Sequence, residues 1–133
     1  MTYIDANVFI AGIIYEDAKA DAARAILHDL ATHRLSAITS TLTLDEVLWC
    51  VWKEKRDKQF AITKVRLIMN LSGLRVVSAT SAIFSHALDL MERYPLKPRD
   101  AIHAATALAE EASTILSDDA DFDAVKELHR KPL

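Results

Sequence analysis

The sequence predicts an α/β protein in which helices cover both faces of a central parallel β-sheet of four or five strands. Four β-prone runs, TYID, LSAIT, LRVVSA and STILS, are separated by segments with helical periodicity. Those segments are about 10–15 residues long, the length that typically connects neighbouring parallel strands. With 133 residues, 51% of them hydrophobic, the chain is long enough to bury a core, and we expect one domain over residues 1–133.

Each predicted element follows from its local pattern. The β-prone runs predict strands over residues 2–5, 35–39, 74–79 and 113–117. Apolar residues at helical spacing predict helices over residues 17–33, 41–55, 60–72, 81–94 and 99–112, and a short helix over 120–129. Gly73, Pro95 and Pro98 mark helix boundaries. The apolar segment NVFIAGIIY, after the first strand, has no assignment.

Composition limits the possible functions. The net charge of −3 and the pI near 5.9 argue against adhesion to nucleic acid through a broadly basic surface. They leave open an enzyme that recruits divalent cations, because bound metals invert the local charge. No apolar run approaches the roughly 20 residues that span a bilayer, and no signal peptide is evident. We therefore expect a cytoplasmic protein without membrane contact, and its only cysteine, Cys50, is expected to serve packing.

Acidic residues recur where predicted strands end and helices begin. Asp5 closes the first strand, Glu46 lies early in the helix after the second, and Asp100 lies in the first turn of the PRDAIHAATAL helix. SDDADF follows the fourth strand and carries Asp118, Asp119 and Asp121. The carboxyl ends of parallel strands form one edge of a sheet, where binding sites of such folds are found. We therefore expect these acids to lie near one another.

Each acid also has a purely structural interpretation. Thr43 to Glu46 matches a capping box, in which Glu46 would bond to the Thr43 backbone amide. Asp100 follows Pro98 and would interact favourably with the helix dipole. Asp118 and Asp119 are residue types common in turns and at helix starts. These interpretations do not explain why the acids share one edge of the sheet.

A metal site explains the shared location. Crowded carboxylates repel one another and stay ionised easily only when cations lie between them. Oxygen ligands without clustered cysteine or histidine favour Mg²⁺ or Mn²⁺ over zinc. The sequence therefore indicates a divalent-metal site for phosphate chemistry.

The acid-bearing segments together resemble the PIN-domain ribonucleases, particularly the VapC-type toxins of toxin–antitoxin pairs. YIDANVF, TLTLDEVLW, LKPRDAIHAATAL and ILSDDADFDAV follow the order and separations of that family and span nearly the whole chain. The resemblance implies a single PIN domain, a PIN-like α/β/α sandwich and a metal-dependent endoribonuclease. We expect the final strand of many relatives to be short or missing, since only HRKPL remains after the predicted last helix.

The resemblance also assigns site residues, position by position. Asp5, Glu46 and Asp100 match the family's first three acids, and Asp119 matches the fourth. Asp5, Asp100 and Asp119 would hold one or two Mg²⁺ or Mn²⁺ ions, and Glu46 would complete the metal shell or orient the attacking water. Hydrolysis would leave a 5′-phosphate and a 3′-hydroxyl. Supporting polar positions around the metal shell are Asn7, Ser117 and, as an auxiliary acid, Asp121.

The implied partners are an RNA substrate, a small VapB-type antitoxin whose C-terminal segment blocks the active-site groove, and a second copy of the chain in a homodimer. Two alternatives stay open: a non-catalytic PIN-like module that binds RNA or protein, and a stand-alone housekeeping RNase. A haloacid-dehalogenase-type site is disfavoured, because Asn7 stands where that site requires a second aspartate.

Several other residues have two interpretations. His103 is expected to be packed or hydrogen-bonded, because no zinc-ligand spacing surrounds it. Lys97 and Arg99 would contact RNA phosphates or be solvated. The basic stretch KEKRDK, residues 53–58, would hold RNA backbone or complement the dipole at the C-terminus of its helix. Trp49 and Trp52 lie off the main apolar stripe of their helix, and they would form a partner surface or be buried on a second side.

Overall fold

Five parallel strands form the centre of the computed structural model, which describes residues 1–133. The strands are β1 (Thr2–Ile4), β2 (Ala37–Ser40), β3 (Leu74–Val77), β4 (Thr114–Leu116) and β5 (His129–Lys131). Their order in the sheet is β3-β2-β1-β4-β5, and every neighbouring pair is parallel. The predicted parallel sheet is confirmed, with five strands.

Six α-helices cover the two faces of the sheet. They are α1 (Ala6–Ile14), α2 (Ala18–Ala31), α3 (Thr41–Lys55), α4 (Lys58–Met69), α5 (Ser81–Arg93) and α6 (Pro98–Ala109). No helix combines the length and apolar character needed to cross a membrane. The helix boundaries lie within a few residues of those predicted, which is the usual uncertainty of such boundaries.

The core consists of two apolar layers, one on each face of the sheet. Tyr3, on β1, packs with residues of α5 and α6, whereas its neighbour Ile4 packs with residues of α1 to α4. Successive side chains of a strand point to opposite faces, so one strand contributes to both layers. This arrangement confirms the α/β/α sandwich.

The unassigned segment NVFIAGIIY forms most of helix α1. The helix begins directly after β1, where the Asp5 side chain accepts a hydrogen bond of 2.8 Å from the Ala6 amide. Most of its first six residues are buried, and neither face is polar. The sequence therefore lacks the one-sided apolar pattern by which an amphipathic helix is predicted.

The prediction of a helix over residues 120–129 is wrong. Only Ala120–Ala124 is helical, as a 3₁₀ helix, and the chain then forms strand β5. The final strand is thus short but present. It pairs with β4, and the Ser117 amide donates to the Lys131 carbonyl at 3.1 Å. Arg130 fixes the strand by donating to Asp123 at 2.8 Å and to the Ser117 carbonyl at 3.3 Å.

The predicted capping box of α3 is also wrong. The helix begins at Thr41, directly after β2, so Ser40 is the N-cap and accepts from the Leu42 amide at 3.0 Å. Thr43 already lies within the helix and is fully buried. Glu46 bonds to His103 instead of the Thr43 amide.

Gly73, predicted to stop the preceding helix, lies in the turn before β3. A Cβ at this position would lie 2.1 Å from the Leu35 carbonyl oxygen and 2.8 Å from that of Leu30. The turn therefore has room for glycine only, because the end of α2 and the start of β2 pass directly against it.

Candidate functional site

The predicted acids gather at the carboxyl edge of the sheet, around a cavity of about 500 Å³. Six of its seven lining residues are charged; the lining consists of Glu46, Lys97, Pro98, Arg99, Asp100, Asp119 and Asp121. Glu46 comes from α3, Asp100 from the first turn of α6, and Asp119 and Asp121 from the segment after β4. The topology thus brings together residues from distant parts of the chain.

Three carboxylates of this cavity form a cluster. Asp100, Asp119 and Asp121 each offer an oxygen within 4.8 Å of the others, the spacing of groups that share one cation. Asp121 was predicted only as an auxiliary acid, yet it belongs to this cluster. None of the three forms a salt bridge, although Lys97 and Arg99 line the same cavity. The cluster therefore has uncompensated negative charge and only oxygen donors, a set that fits a hard divalent cation.

Asp5 lies beside the cluster without being one of its three members. Its carboxylate is 6% exposed, and its Oδ1 accepts from the Ala6 amide. Oδ2 accepts from Ser117 Oγ at 2.7 Å and from Asn7 Nδ2 at 3.3 Å. Ser117 Oγ in turn accepts from the Asp119 amide at 3.0 Å. Ser117 and Asn7 therefore hold Asp5 and the Asp119 backbone in fixed positions relative to each other.

Asp118, the neighbour of Asp119 in sequence, forms its contacts away from the cluster. Its Oδ2 accepts from Lys19 Nζ at 2.9 Å, and its Oδ1 accepts from the Leu133 amide at 2.9 Å. These contacts hold the pKa of Asp118 below its usual value despite an opposing effect of burial. Asp118 therefore fastens the turn after β4 to α2 and to Leu133, two residues after β5.

Asp100 is the acid whose ionisation is most disturbed. Partial burial raises the pKa of Asp100 to about 6, and the negative charges of Asp119 and Asp5 act in the same direction. The structure contains no hydrogen bond to the Asp100 carboxylate that would offset this. A carboxyl group destabilised in its charged form by like charges is one that a bound cation would stabilise.

We expect the metal-free protein to be stabilised by protonation of Asp100. Its folded pKa of about 6 lies above the usual value of 3.8, so its contribution to stability is complete below about pH 3.8 and is lost as the pH rises through about 6. With solvent screening at this half-exposed group taken into account, Asp100→Asn should raise the free energy of unfolding near neutral pH by about 1 kcal/mol. Urea unfolding in EDTA at mildly acidic and at neutral pH measures this difference. If the free energies of unfolding of Asp100→Asn and of the unmodified protein differ by the same amount at both pH values, Asp100 titrates normally.

Glu46 is held by a buried chain of hydrogen bonds. His103 Nε2 lies 2.5 Å from Glu46 Oε1, and His103 Nδ1 lies 2.6 Å from the Tyr3 hydroxyl. The Tyr3 hydroxyl also lies 3.2 Å from Thr43 Oγ1. His103 is 1% exposed, which confirms the hydrogen-bonded histidine expected from the sequence. An ionised Glu46 can only accept, so His103 Nε2 carries a proton.

The surroundings of His103 favour its charged form. Burial lowers the pKa of His103, but the hydrogen bond to Glu46 and the charge of Asp5 outweigh this effect, and the net pKa is raised. Burial also raises the pKa of Tyr3, so its hydroxyl keeps its proton. In the charged ring both nitrogens are donors, so His103 Nδ1 donates to the Tyr3 oxygen, and the Tyr3 proton is available to Thr43 Oγ1. The ring of His103 is therefore fixed between Tyr3 and Glu46 and determines where the Glu46 carboxylate lies.

The sequence did not identify Tyr3 and Thr43 as part of the site. Both are fully buried polar residues whose side chains reach His103 from β1 and α3. The only available signal was the tyrosine itself, because a buried tyrosine hydroxyl usually requires a hydrogen-bond partner.

Trp49 and Trp52 are exposed, so burial on a second side of their helix is excluded. Their exposed fractions are 57% and 38%, and the two rings meet edge to face with centroids 5.5 Å apart. The basic stretch at residues 53–58 is also exposed and ends the same helix, where Arg56 adopts a left-handed conformation with φ of 52°.

Comparisons with known proteins give a family match and several similar structures. The family model for the PIN domain matches residues 2–128. Comparison with curated protein sequences gives no significant match. Three solved structures of bacterial proteins are similar to this chain, and at their identities the likeness concerns the fold.

The first is VapBC2 from Rickettsia felis, bound to a DNA fragment from its promoter, with 20% identity, a TM-score of 0.75 and coverage of 99% of this chain and 98% of that chain. The second is VapC20 from Mycobacterium tuberculosis, a toxin that cleaves the sarcin–ricin loop, with 18% identity, a TM-score of 0.78 and 95% coverage of both chains. The third is a toxin–antitoxin complex from Klebsiella pneumoniae, with 22% identity, a TM-score of 0.70 and coverage of 97% of this chain and 96% of that chain.

Proposed function

Because the chain belongs to the PIN domain family, we propose that it is an endoribonuclease that hydrolyses RNA phosphodiester bonds with the help of Mg²⁺ or Mn²⁺. The observation that carries the proposal is the cluster of Asp100, Asp119 and Asp121, which faces a cavity lined mainly by charged residues, Glu46 among them. Phosphodiester hydrolysis at such a site needs no nucleophilic side chain, because water is the nucleophile.

Asp5, Asp100 and Asp119 are the residues that we propose as metal ligands, with Asp121 available as a further donor. The fit rests on the donor chemistry: Asp100, Asp119 and Asp121 lie close together without a salt bridge, and the pKa of Asp100 is raised by its acidic neighbours. Asp5 lies beside this cluster, with His103 Nε2 at 3.6 Å from its Oδ1. A bound Mg²⁺ or Mn²⁺ would lower the pKa of a coordinated water and polarise the scissile phosphate. Ser117 and Asn7 support this set by holding Asp5 and the Asp119 backbone.

The remaining residues would act on the water and the RNA. Glu46, with Oε1 fixed by His103, faces the cavity and would orient the attacking water. Lys97 and Arg99 are exposed at the same cavity and would contact phosphate groups of the strand. The water oxygen forms a bond to phosphorus, the bond from phosphorus to the 3′-oxygen breaks, and a proton passes to that oxygen. The products are a 5′-phosphate and a 3′-hydroxyl.

We further propose that the protein is the toxin of a toxin–antitoxin pair, with a small VapB-type antitoxin and a second copy of the chain as partners. The similarity to toxin–antitoxin complexes supports this role. Exposed apolar residues suitable for such contacts include Phe84, Leu88 and Met91, which follow one face of α5. The lone cysteine suits a cytoplasmic protein.

Cleavage of a labelled pool of structured RNAs tests the enzymatic proposal. We expect fragments with 5′-phosphate ends in Mg²⁺ or Mn²⁺ and no cleavage in EDTA, because the clustered carboxylates require a cation. End-group analysis of the fragments distinguishes this reaction from contaminating ribonucleases that leave cyclic phosphates. RNA binding without cleavage in any metal would favour the non-catalytic PIN-like module. Cleavage that no partner protein inhibits would favour a stand-alone housekeeping RNase.

A further inference from the structure

A second cavity, of about 430 Å³, adjoins the acidic one. Its lining consists of Ile10, Asp45, Glu46, Trp49, Cys50 and Arg99. Glu46 and Arg99 line both cavities, so the two form one continuous depression across α1, α3 and the start of α6. A ligand that is bound at the acid cluster and is long enough to pass Glu46 and Arg99 therefore enters the second cavity.

Trp49 provides a large exposed aromatic wall in the second cavity. Its side chain is 57% exposed, and its aromatic neighbour within the protein is Trp52, which meets it edge to face at an interplanar angle of 84°. Trp52 does not line the cavity. In an edge-to-face pair Trp52 cannot cover both faces of the Trp49 indole, so at least one face remains available for stacking.

Arg99 lies between the two cavities without a partner in the protein. It is exposed, and no carboxylate or carbonyl oxygen accepts a hydrogen bond from its guanidinium. A planar guanidinium with all its donors available matches the oxygens of a phosphate group. It is adjacent in sequence to Asp100, so a phosphate that it holds would lie next to the acid cluster.

We propose that the second cavity is a subsite for the nucleotide that flanks the scissile phosphate, with its base stacked on Trp49 and its phosphate held by Arg99. The inference rests on the proposed nuclease function and deepens it. An RNA nucleotide has an aromatic face and an adjoining phosphate, which is the pattern that Trp49 and Arg99 present. A purely apolar peptide segment would instead cover the charged groups of Asp45 and Arg99 without giving them partners, so the charges favour RNA over a protein occupant.

The subsite gives the enzyme a requirement for an unpaired base. Stacking on an aromatic side chain tolerates every base, because each has a π-face, but it is possible only where the base is out of a helical stack. Asp45 adds an acceptor for base amino groups at the same wall. We therefore infer that cleavage occurs next to a flanking base that has turned away from its neighbours, in a single strand or a loop.

Binding of two oligomers in EDTA, where cleavage cannot occur, tests the subsite. One probe is a short single-stranded RNA of mixed sequence, and the other has the same length and backbone but lacks the bases. Trp49→Ala should weaken binding of the mixed RNA about tenfold and leave the base-free oligomer unaffected. Arg99→Ala should weaken both probes. Trp52→Ala is the matched control and should bind both as the unmodified protein does.

Fluorescence provides an independent readout, because the chain has two tryptophans. In Trp52→Phe the emission comes from Trp49 alone, and mixed RNA should quench it, whereas Trp49→Phe should show little quenching. Unchanged affinity of Trp49→Ala, absence of quenching, or failure of the unmodified protein to bind mixed RNA would each overturn the subsite. If the subsite fails while metal-dependent cleavage persists, the nuclease assignment stands. If Trp49-dependent binding is found without any cleavage, the subsite stands and the nuclease assignment falls.

Discussion

Asp100→Asn is expected to reduce metal-dependent RNA cleavage by about 10²–10³-fold or more, while the protein remains folded. Asparagine has nearly the same size as aspartate and is tolerated in the first turn of a helix. No hydrogen bond is lost, because the Asp100 carboxylate has none in the structure. What disappears is one negative charge from a cluster in which three carboxylates lie within 4.8 Å. Initial cleavage rates with Mn²⁺, together with thermal unfolding followed by circular dichroism, measure both parts of the expectation.

The matched control for this substitution is Asp21→Asn. Asp21 is also an aspartate in the first turn of a helix, α2, and it pairs only with Arg24 on the surface. Surface pairs of this kind contribute little to stability, about 0–1 kcal/mol, so this variant should cleave RNA at the normal rate. If folded Asp100→Asn cleaves RNA as fast as the unmodified protein, Asp100 is only a helix-start residue and the metal assignment is wrong.

His103→Ala should affect both stability and catalysis. The substitution leaves a cavity where a fully buried ring lay and removes one of the two hydrogen-bond partners of the buried Tyr3 hydroxyl. We expect a loss of about 3 kcal/mol in the free energy of unfolding. Glu46 also loses the contact that positions it, and loss of such support typically costs about 10–100-fold in activity. Cleavage should be measured well below the unfolding midpoint, so that the rate reports on Glu46 and not on unfolding.

Tyr3→Phe separates the two effects of the His103 chain. Phenylalanine fills the same volume and removes only the hydroxyl that bonds to His103 Nδ1. It should cost about 1–2 kcal/mol in stability and reduce cleavage less than His103→Ala does. A His103→Ala protein that cleaves normally at a temperature where it is folded would show that Glu46 needs no support from the ring.

The location of the site could be predicted from the sequence because it depends on topology. Asp5 follows a strand, Asp100 follows Pro98, and Asp119 follows another strand, and in a parallel sheet such positions converge at one edge. The partners of these acids could not be predicted in the same way. Glu46 and His103 are 57 residues apart, and Tyr3 and His103 are 100 apart, so their contacts depend on how α3 and α6 pack.

The elements that sequence patterns missed are those without a one-sided apolar pattern. Helix α1 is buried on most of its surface, so apolar residues surround it and no periodicity appears. Strand β5 consists of His129–Lys131, three polar residues at the edge of the sheet, and its position is fixed by backbone pairing and by Arg130. Helix α1 and strand β5 therefore depend on tertiary contacts, which local sequence propensity does not describe.

The contacts of Asp5 have a consequence for how the protein folds. Asp5 and Ser117, whose side chains lie 2.7 Å apart, are separated by 112 residues, and β1 pairs with β4 over the same distance in sequence. Closing a loop of that length is slow and entropically unfavourable until the rest of the chain has condensed. A chain in which β1 and β4 are not yet paired therefore has dispersed carboxylates. The ability to hydrolyse RNA should arise only in the last, cooperative step of folding, and a chain that is still folding poses no threat to the RNA around it.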